Sequence, residues 1–289
     1  MKRLRLISFI ILLCAIASVA YIRVKHGRGI DNIKPVITME EDSLKVSVED
    51  GPEVLLAGVT ATDNKDGDVT DTLTIDNISN FQDGKRYVTI AAFDRSNNVS
   101  KAVREIEYKD YRSPHFDITE PMVFRTGETR FLAHTTANDI IDGDITGKIH
   151  FKDETDIYSD TGGSYDAVLQ VKNSAGDIAS LPLTIKITSG NEDLKPSVLL
   201  KHYVRYIKVN HKINYSKLVD KVQFYGRNYK PVDGEGIGEK TISWNLISID
   251  DSAVNYQEPG MYTVTYKVTM KERDEDVVGT TELIVIVEE

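Results

Sequence analysis

The sequence predicts an all-β protein: three tandem sandwich domains behind an N-terminal transmembrane or signal helix. Three observations carry the prediction. A long apolar run stands near the N-terminus, a set of landmarks recurs three times along the rest of the chain, and residues alternate apolar and polar where each repeat closes. Period-2 alternation is the pattern of a half-buried antiparallel strand, and short strands punctuated by Gly, Asp and Asn turns build sandwiches.

The first element is the run "LISFIILLCAIASVAYIRV", Leu6 to Val24, preceded by Lys2, Arg3 and Arg5. Its length suits a helix crossing a bilayer, which needs roughly 20 residues. The positive charge ahead of it favours an N-terminus on the inside, although Arg23, Lys25 and Arg28 follow it. Ser18 and Ala20 also offer the small residues that signal peptidases accept, so residues 1–28 read as an anchor or as a cleaved signal peptide. Either way the rest is exported, to the outer face of a cell membrane or as a secreted chain. The single cysteine, Cys14, lies inside this run. The exported part therefore holds no disulfide, thiol nucleophile or cysteine zinc site, which suits a bacterial surface protein stabilised by apolar burial. A net charge of -10 on 289 residues, with the basic residues thinly spread, excludes a nucleic-acid groove and suits cations or basic partners.

After a polar stretch without periodicity, "KHGRGIDNIK", the repeats begin. "KPVITME", "SPHFDIT" and "KPSVLLK" each put a proline just before an apolar run. "ATDNKDGDVTD" is matched by "ANDIIDGDITG", aligning Asp66-Gly67-Asp68 with Asp142-Gly143-Asp144, while the third copy has only "VDGEGIG". Each copy ends on a glycine, a tyrosine two or three positions later, and alternation: Tyr165, Ala167, Leu169 and Val171 share one face, as do Tyr262, Val264, Tyr266 and Val268. The polar joints "EYKDYRSP" and "TSGNEDLKP" set the domains at 34–110, 113–189 and 195–289.

Together these landmarks resemble the bacterial immunoglobulin-like (Ig-like) repeats of the DUF5011 or Big_3 kind, found in tandem in surface and secreted proteins and in Cry22-type pesticidal proteins. The likeness runs from Lys34 onward and is weakest in the third copy, where "KTISWNLISIDDSAVNYQ" is inserted and the acidic loop is not recognisable. The resemblance implies Ig-like sandwiches serving as spacer, adhesion or interaction modules with a protein or carbohydrate ligand, and it implies no enzyme. The alternative is an accessory substrate-binding component of a secreted enzyme or toxin system.

The acidic loops are the best candidates for chemistry. At one end of a sandwich, Asp63, Asp66 and Asp68 can approach Asp94 and Asn97, and in the second copy Asp139, Asp142 and Asp144 can approach Asp177. Calcium takes six to eight oxygen ligands, a demand such a set can meet, although the spacing is not that of an EF-hand. The competing reading is turn-making, with Asp side chains capping the backbone and Gly67 left-handed. The paired aspartates lie in turns rather than an apolar pocket, which argues against acid/base catalysis. His115, His134, His150, His202 and His211 have no zinc spacing. Trp244 and Tyr256 offer either a ligand platform or core packing. The chain closes on a strand, "TELIVIVEE", so attachment is expected from the N-terminal side.

Overall fold

A computed structural model of the chain describes residues 2–27, 31–82, 84–152, 157–189 and 195–289. The apolar run forms a helix, α1 (Lys2–Gly27), with side chains described from Ile10 to Arg23, all exposed. Among the described residues no helix is long and apolar enough to cross a membrane. The ends of the expected span, Leu6 to Phe9 and Val24, lie outside the described side chains, as does Gly190 to Leu194 of the second polar joint. Beyond α1 the described residues are built mainly of strands, and the chain divides into two compact units, Met1–Tyr111 and Arg112–Glu289.

The first unit holds one repeat. Strand β1 (Val36–Met39) is followed by β2 (Ser43–Val46), a one-turn helix α2 (Pro52–Leu55), β3 (Val59–Asp63), the two-residue β4 (Gly67–Asp68), β5 (Thr74–Ile78), β6 (Arg86–Phe93) and β7 (Val99–Tyr108). They pair as two sheets, β1-β3-β4 and β2-β7-β6-β5, every contact antiparallel except β2 with β7. The alternation in β6 turns Val88, Ile90 and Ala92 inward, where Val88 and Ile90 meet Val46, Val59 and Ile106. Arg104, on β7, is 1% exposed. Its Nη1 donates to the carbonyls of Leu55 (3.0 Å) and Ala57 (2.8 Å), and its Nε to Glu41 O (3.0 Å). The bonds to Leu55 and Ala57 satisfy carbonyls at the C-terminal end of α2 that the short helix cannot pair for itself.

The second unit repeats the plan twice. β8 (His115–Ile118), β9 (Val123–Arg125), β10 (Thr135–Asp139), β11 (Gly143–Asp144), β12 (His150–Phe151), β13 (Gly163–Lys172) and β14 (Ile178–Thr188) form sheets β8-β10-β11 and β9-β14-β13-β12. Then β15 (Ser197–Leu200), β16 (Val204–Lys208), β17 (Val219–Phe224), β18 (Arg227–Val232), β19 (Thr241–Ser243), β20 (Ile247–Asp250), β21 (Gly260–Glu272) and β22 (Glu275–Glu288) form β15-β17-β18-β19 and β16-β22-β21-β20. In both, the second strand again runs parallel to the last. On β21, Val264, Tyr266 and Val268 are fully buried and Tyr262 half-buried, as the alternation predicts.

The second and third repeats share one apolar cluster that runs from Phe116 and Ile118 through to Val285 and Val287. The His115 ring stacks on Tyr206 with centroids 3.6 Å apart, and its Nε2 lies 2.8 Å from Glu288 Oε1. The Tyr206 hydroxyl accepts from the Phe116 N–H at 2.9 Å, and the Tyr203 N–H donates to Ile118 O at 2.7 Å. Burial pushes the phenols of Tyr203 and Tyr206 up to about 12, so both stay neutral donors and acceptors. Each repeat thus lends the other groups it needs, and the two pack as one unit.

Candidate functional site

In the first repeat the acidic loop is a hairpin connection. Asp63 pairs with Gly67 across β3 and β4, leaving Asn64, Lys65 and Asp66 as the loop. Gly67 takes φ +76°, the left-handed region that closes a three-residue hairpin and that a glycine occupies without a Cβ clash. Asp63 Oδ1 accepts the N–H groups of Lys65 (2.8 Å) and Asp66 (2.9 Å). Those bonds, that from Asp66 first, hold its carboxyl below the ordinary carboxylate range. Asp68 Oδ1 accepts from Thr70 N at 2.9 Å, and Thr70 lowers the Asp68 carboxyl likewise. Asp66 reaches the neighbouring loop, where its Oδ2 accepts from Arg95 N at 2.8 Å.

That neighbouring loop, Asp94 to Asn98, joins β6 to β7. Asn97 is left-handed at φ +66° and donates its N–H to Asp94 O. Asp94 Oδ1 accepts from Asn98 N at 2.7 Å, and Asp94 Oδ2 from Asn98 Nδ2 at 2.6 Å. The same amide lies 3.0 Å from Asp31 O and 3.2 Å from Ile33 O, tying the segment before β1 to this loop. Asp31 comes with that segment. One carboxylate oxygen each from Asp31, Asp63 and Asp94 lies within 4.8 Å of the other two. All three residues are at most 7% exposed, and Asp31 Oδ2 and Asp63 Oδ2 are buried without a hydrogen-bond partner. Three buried carboxylates so placed repel one another, and a buried oxygen without a donor carries its full desolvation cost.

The second repeat keeps the backbone and changes the chemistry. Its hairpin pairs Asp139 with Gly143, and Gly143 has φ +70°. Asp139 Oδ1 again accepts two N–H groups, from Ile141 and Asp142, and Asp144 again accepts from Thr146. Asp142 accepts from the N–H (2.8 Å) and hydroxyl (2.5 Å) of Ser174 and from Lys148 Nζ (2.9 Å); Ser174 is the largest cause holding its carboxyl low. Where the first repeat has Asp94, however, this one has Asn173, whose Nδ2 donates to Asp139 Oδ2 at 3.1 Å. Both residues are 4% exposed. Asp177 stands at the position of Asn98 and accepts from Ser113 Oγ at 2.7 Å. The buried pair here is one carboxylate, Asp139, and one amide, Asn173.

In the third repeat both loops are cut to two residues. Phe224 pairs with Arg227 around Tyr225 (φ +51°) and Gly226 (φ +70°), and Glu272 pairs with Glu275 around Arg273 (φ +48°) and Asp274 (φ +70°). Such turns match the strand twist and leave no loop to carry an acidic cluster. Trp244 and Tyr256 are half-buried against the apolar cluster. The Tyr256 hydroxyl donates to Asp251 Oδ2 at 2.6 Å and lies 3.1 Å from the Tyr215 hydroxyl, while Lys212 Nζ pairs with Asp251 at 2.6 Å. Burial first, then the Asp251 bond, pushes the Tyr256 phenol up. Between the second and third repeats runs a groove of about 1320 Å³ whose walls include Met122, Val123, Lys195, Met261 and Val278.

No family model matches the sequence, and no curated protein matches it. Among solved structures, a carbohydrate-binding module (CBM51-2, in complex with GlcNAc) and INT domains of Clostridium perfringens ZmpB are 18% identical, with 51% of this chain and 26% of that chain covered and a TM-score of 0.22. The chain therefore spans about a quarter of that structure's length. Human CDH23 EC21-23 is 13% identical over 88% of this chain and 100% of its own, with a TM-score of 0.22. Protocadherin gammaB7 EC3-6 is 13% identical over 89% and 74%, with a TM-score of 0.19. Likenesses this low carry no argument about what this chain binds.

Proposed function

We propose that the chain is a non-enzymatic envelope protein in which three Ig-like sandwiches serve as spacer and interaction module on the outer side of the membrane. The observation that carries this reading is the thrice-repeated pairing of two sheets about filled apolar cores, with the second and third repeats clasped through His115, Tyr206 and Glu288. The carboxylates of Asp68, Asp142 and Asp144, and one oxygen of Asp63, accept from backbone N–H groups and hydroxyls, which is scaffold work. The net charge of -10 keeps such a surface soluble and suits cationic partners.

The test is fractionation of intact cells with external protease. The chain is expected in the membrane pellet and trimmed from outside. N-terminal sequencing then distinguishes an anchor from a cleaved signal, because a mature chain starting at Tyr21 means release by a peptidase. Recovery in the cytosol, shielded from protease, overturns the proposal. A second reading, an accessory ligand-binding component of a secreted system, is favoured by the groove between the second and third repeats. Glycan-array binding that is lost on Met261→Arg supports that reading.

A further inference from the structure

We propose that Asp31, Asp63 and Asp94 form a calcium site that fastens the segment before β1 to the first repeat. Each of the three places one carboxylate oxygen within 4.8 Å of the other two, no farther apart than ligands on opposite sides of a cation with bonds of about 2.4 Å. The donor set is all oxygen and anionic, which selects a hard divalent cation over zinc or copper. One oxygen of each is already oriented: Asp31 Oδ1 by Ile33 N, Asp63 Oδ1 by Lys65 N and Asp66 N, Asp94 Oδ1 by Asn98 N, and Asp94 Oδ2 also accepts from Asn98 Nδ2. Backbone donors behind the carboxylates are the supporting shell that a bound ion uses. What is missing is a partner for the second oxygens of Asp31 and Asp63, which have none in residues only 7% exposed.

The second repeat supplies the control. With the same hairpin and the same backbone bonds, it replaces the carboxylate of Asp94 by the amide of Asn173, and the Asp139 oxygen that would face an ion takes a hydrogen bond instead. One repeat neutralises its buried aspartate with an amide; the other adds two more carboxylates, and a cation balances them. The three ligands arrive from three places in the chain, the segment before β1, the β3–β4 hairpin and the β6–β7 loop. Binding therefore joins the first to the other two.

The experiment uses the full chain in mild detergent, stripped with EDTA and titrated with calcium chloride by calorimetry, with thermal unfolding in parallel. One calcium per chain and a raised Tm for the first unit are expected. Asp94→Asn, which installs the amide of the second repeat, is expected to fold without calcium and to weaken calcium binding at least tenfold. Asp31→Asn removes a ligand without touching either loop and is expected to do the same. The proposal is overturned if the parent takes up no calcium at millimolar concentration, if either variant binds as the parent does, or if magnesium binds as tightly as calcium.

Discussion

Asn173→Asp puts the chemistry of the first repeat's loop into the second, where the consequences can be worked out. Asn173 Nδ2 donates to Asp139 Oδ2 at 3.1 Å, with both residues 4% exposed. The substitution removes a hydrogen bond to a charged acceptor, about 1.5–3 kcal/mol, and sets two like charges at that distance, about 5 kcal/mol at an effective dielectric of 20. The pair escapes the repulsion by retaining one proton, and keeping a carboxyl of ordinary pKa protonated at pH 7 costs about 4 kcal/mol. That route is the cheaper, so about 4 kcal/mol is the expected loss at pH 7. The retained proton means a pKa raised above its unfolded value, so the folded state binds more protons than the unfolded state. The penalty is therefore absent below the unfolded pKa and grows by about 1.4 kcal/mol per unit as the pH rises toward the raised value. Differential scanning calorimetry, with Trp244 fluorescence identifying the unit Arg112–Glu289, reads this as a Tm lowered by roughly 10 °C at pH 7 and recovering toward pH 4. A Tm within about 2 °C of the parent at pH 7, or a deficit that widens as the pH falls, would refute the reasoning.

Three further outcomes are expected. Gly279→Ala places a Cβ 1.5 Å from Pro196 O, a backbone atom, so the second unit should lose at least about 2–3 kcal/mol in calorimetry while the first unit's transition stays put. Arg104→Met strips the donors from the carbonyls of Glu41, Leu55 and Ala57, and urea unfolding should show the first unit weaker by about 3–5 kcal/mol. In acid, the carboxyls of Asp142 and Asp144, held below the ordinary 3.8 by Ser174 and Thr146, contribute stability that is present above that value and lost as pH falls through the depressed one; a pH series of Tm should be flat near neutrality and drop below about pH 4, less steeply in Asp142→Asn.

The repeats were legible because each strand's alternation records which face is buried and because Gly67 and Gly143 mark backbone that turns left-handed. Both are local signals. The approach of the two loops was legible too, once they were placed at one end of a sheet pair, but the bonds that join them run to Arg95 N and Ser174 N, which the side chains do not announce. Asp31 was not. It sits in a polar stretch without periodicity, and its burial comes from Asn98 reaching back to Asp31 O and Ile33 O, a contact between residues more than sixty positions apart. Its position four residues before Pro35 is the clue the sequence holds. The turn Arg273-Asp274 was equally hidden, since neither residue is the glycine or asparagine that normally marks two left-handed positions in succession. The strand Ser43–Val46 is too short for its parallel partner to be read from four side chains.

That parallel partner has a mechanical consequence. In every repeat the second strand lies alongside the last and points the same way, over four residue pairs for β2 with β7, three for β9 with β14 and five for β16 with β22. A chain held at one end and pulled at the other drags these two strands past each other along their length. Their hydrogen bonds then share the tension and must break together, rather than opening one at a time like a zip. Each repeat carries its own force-bearing seam, shortest in the second, at Val123–Arg125, and longest in the third.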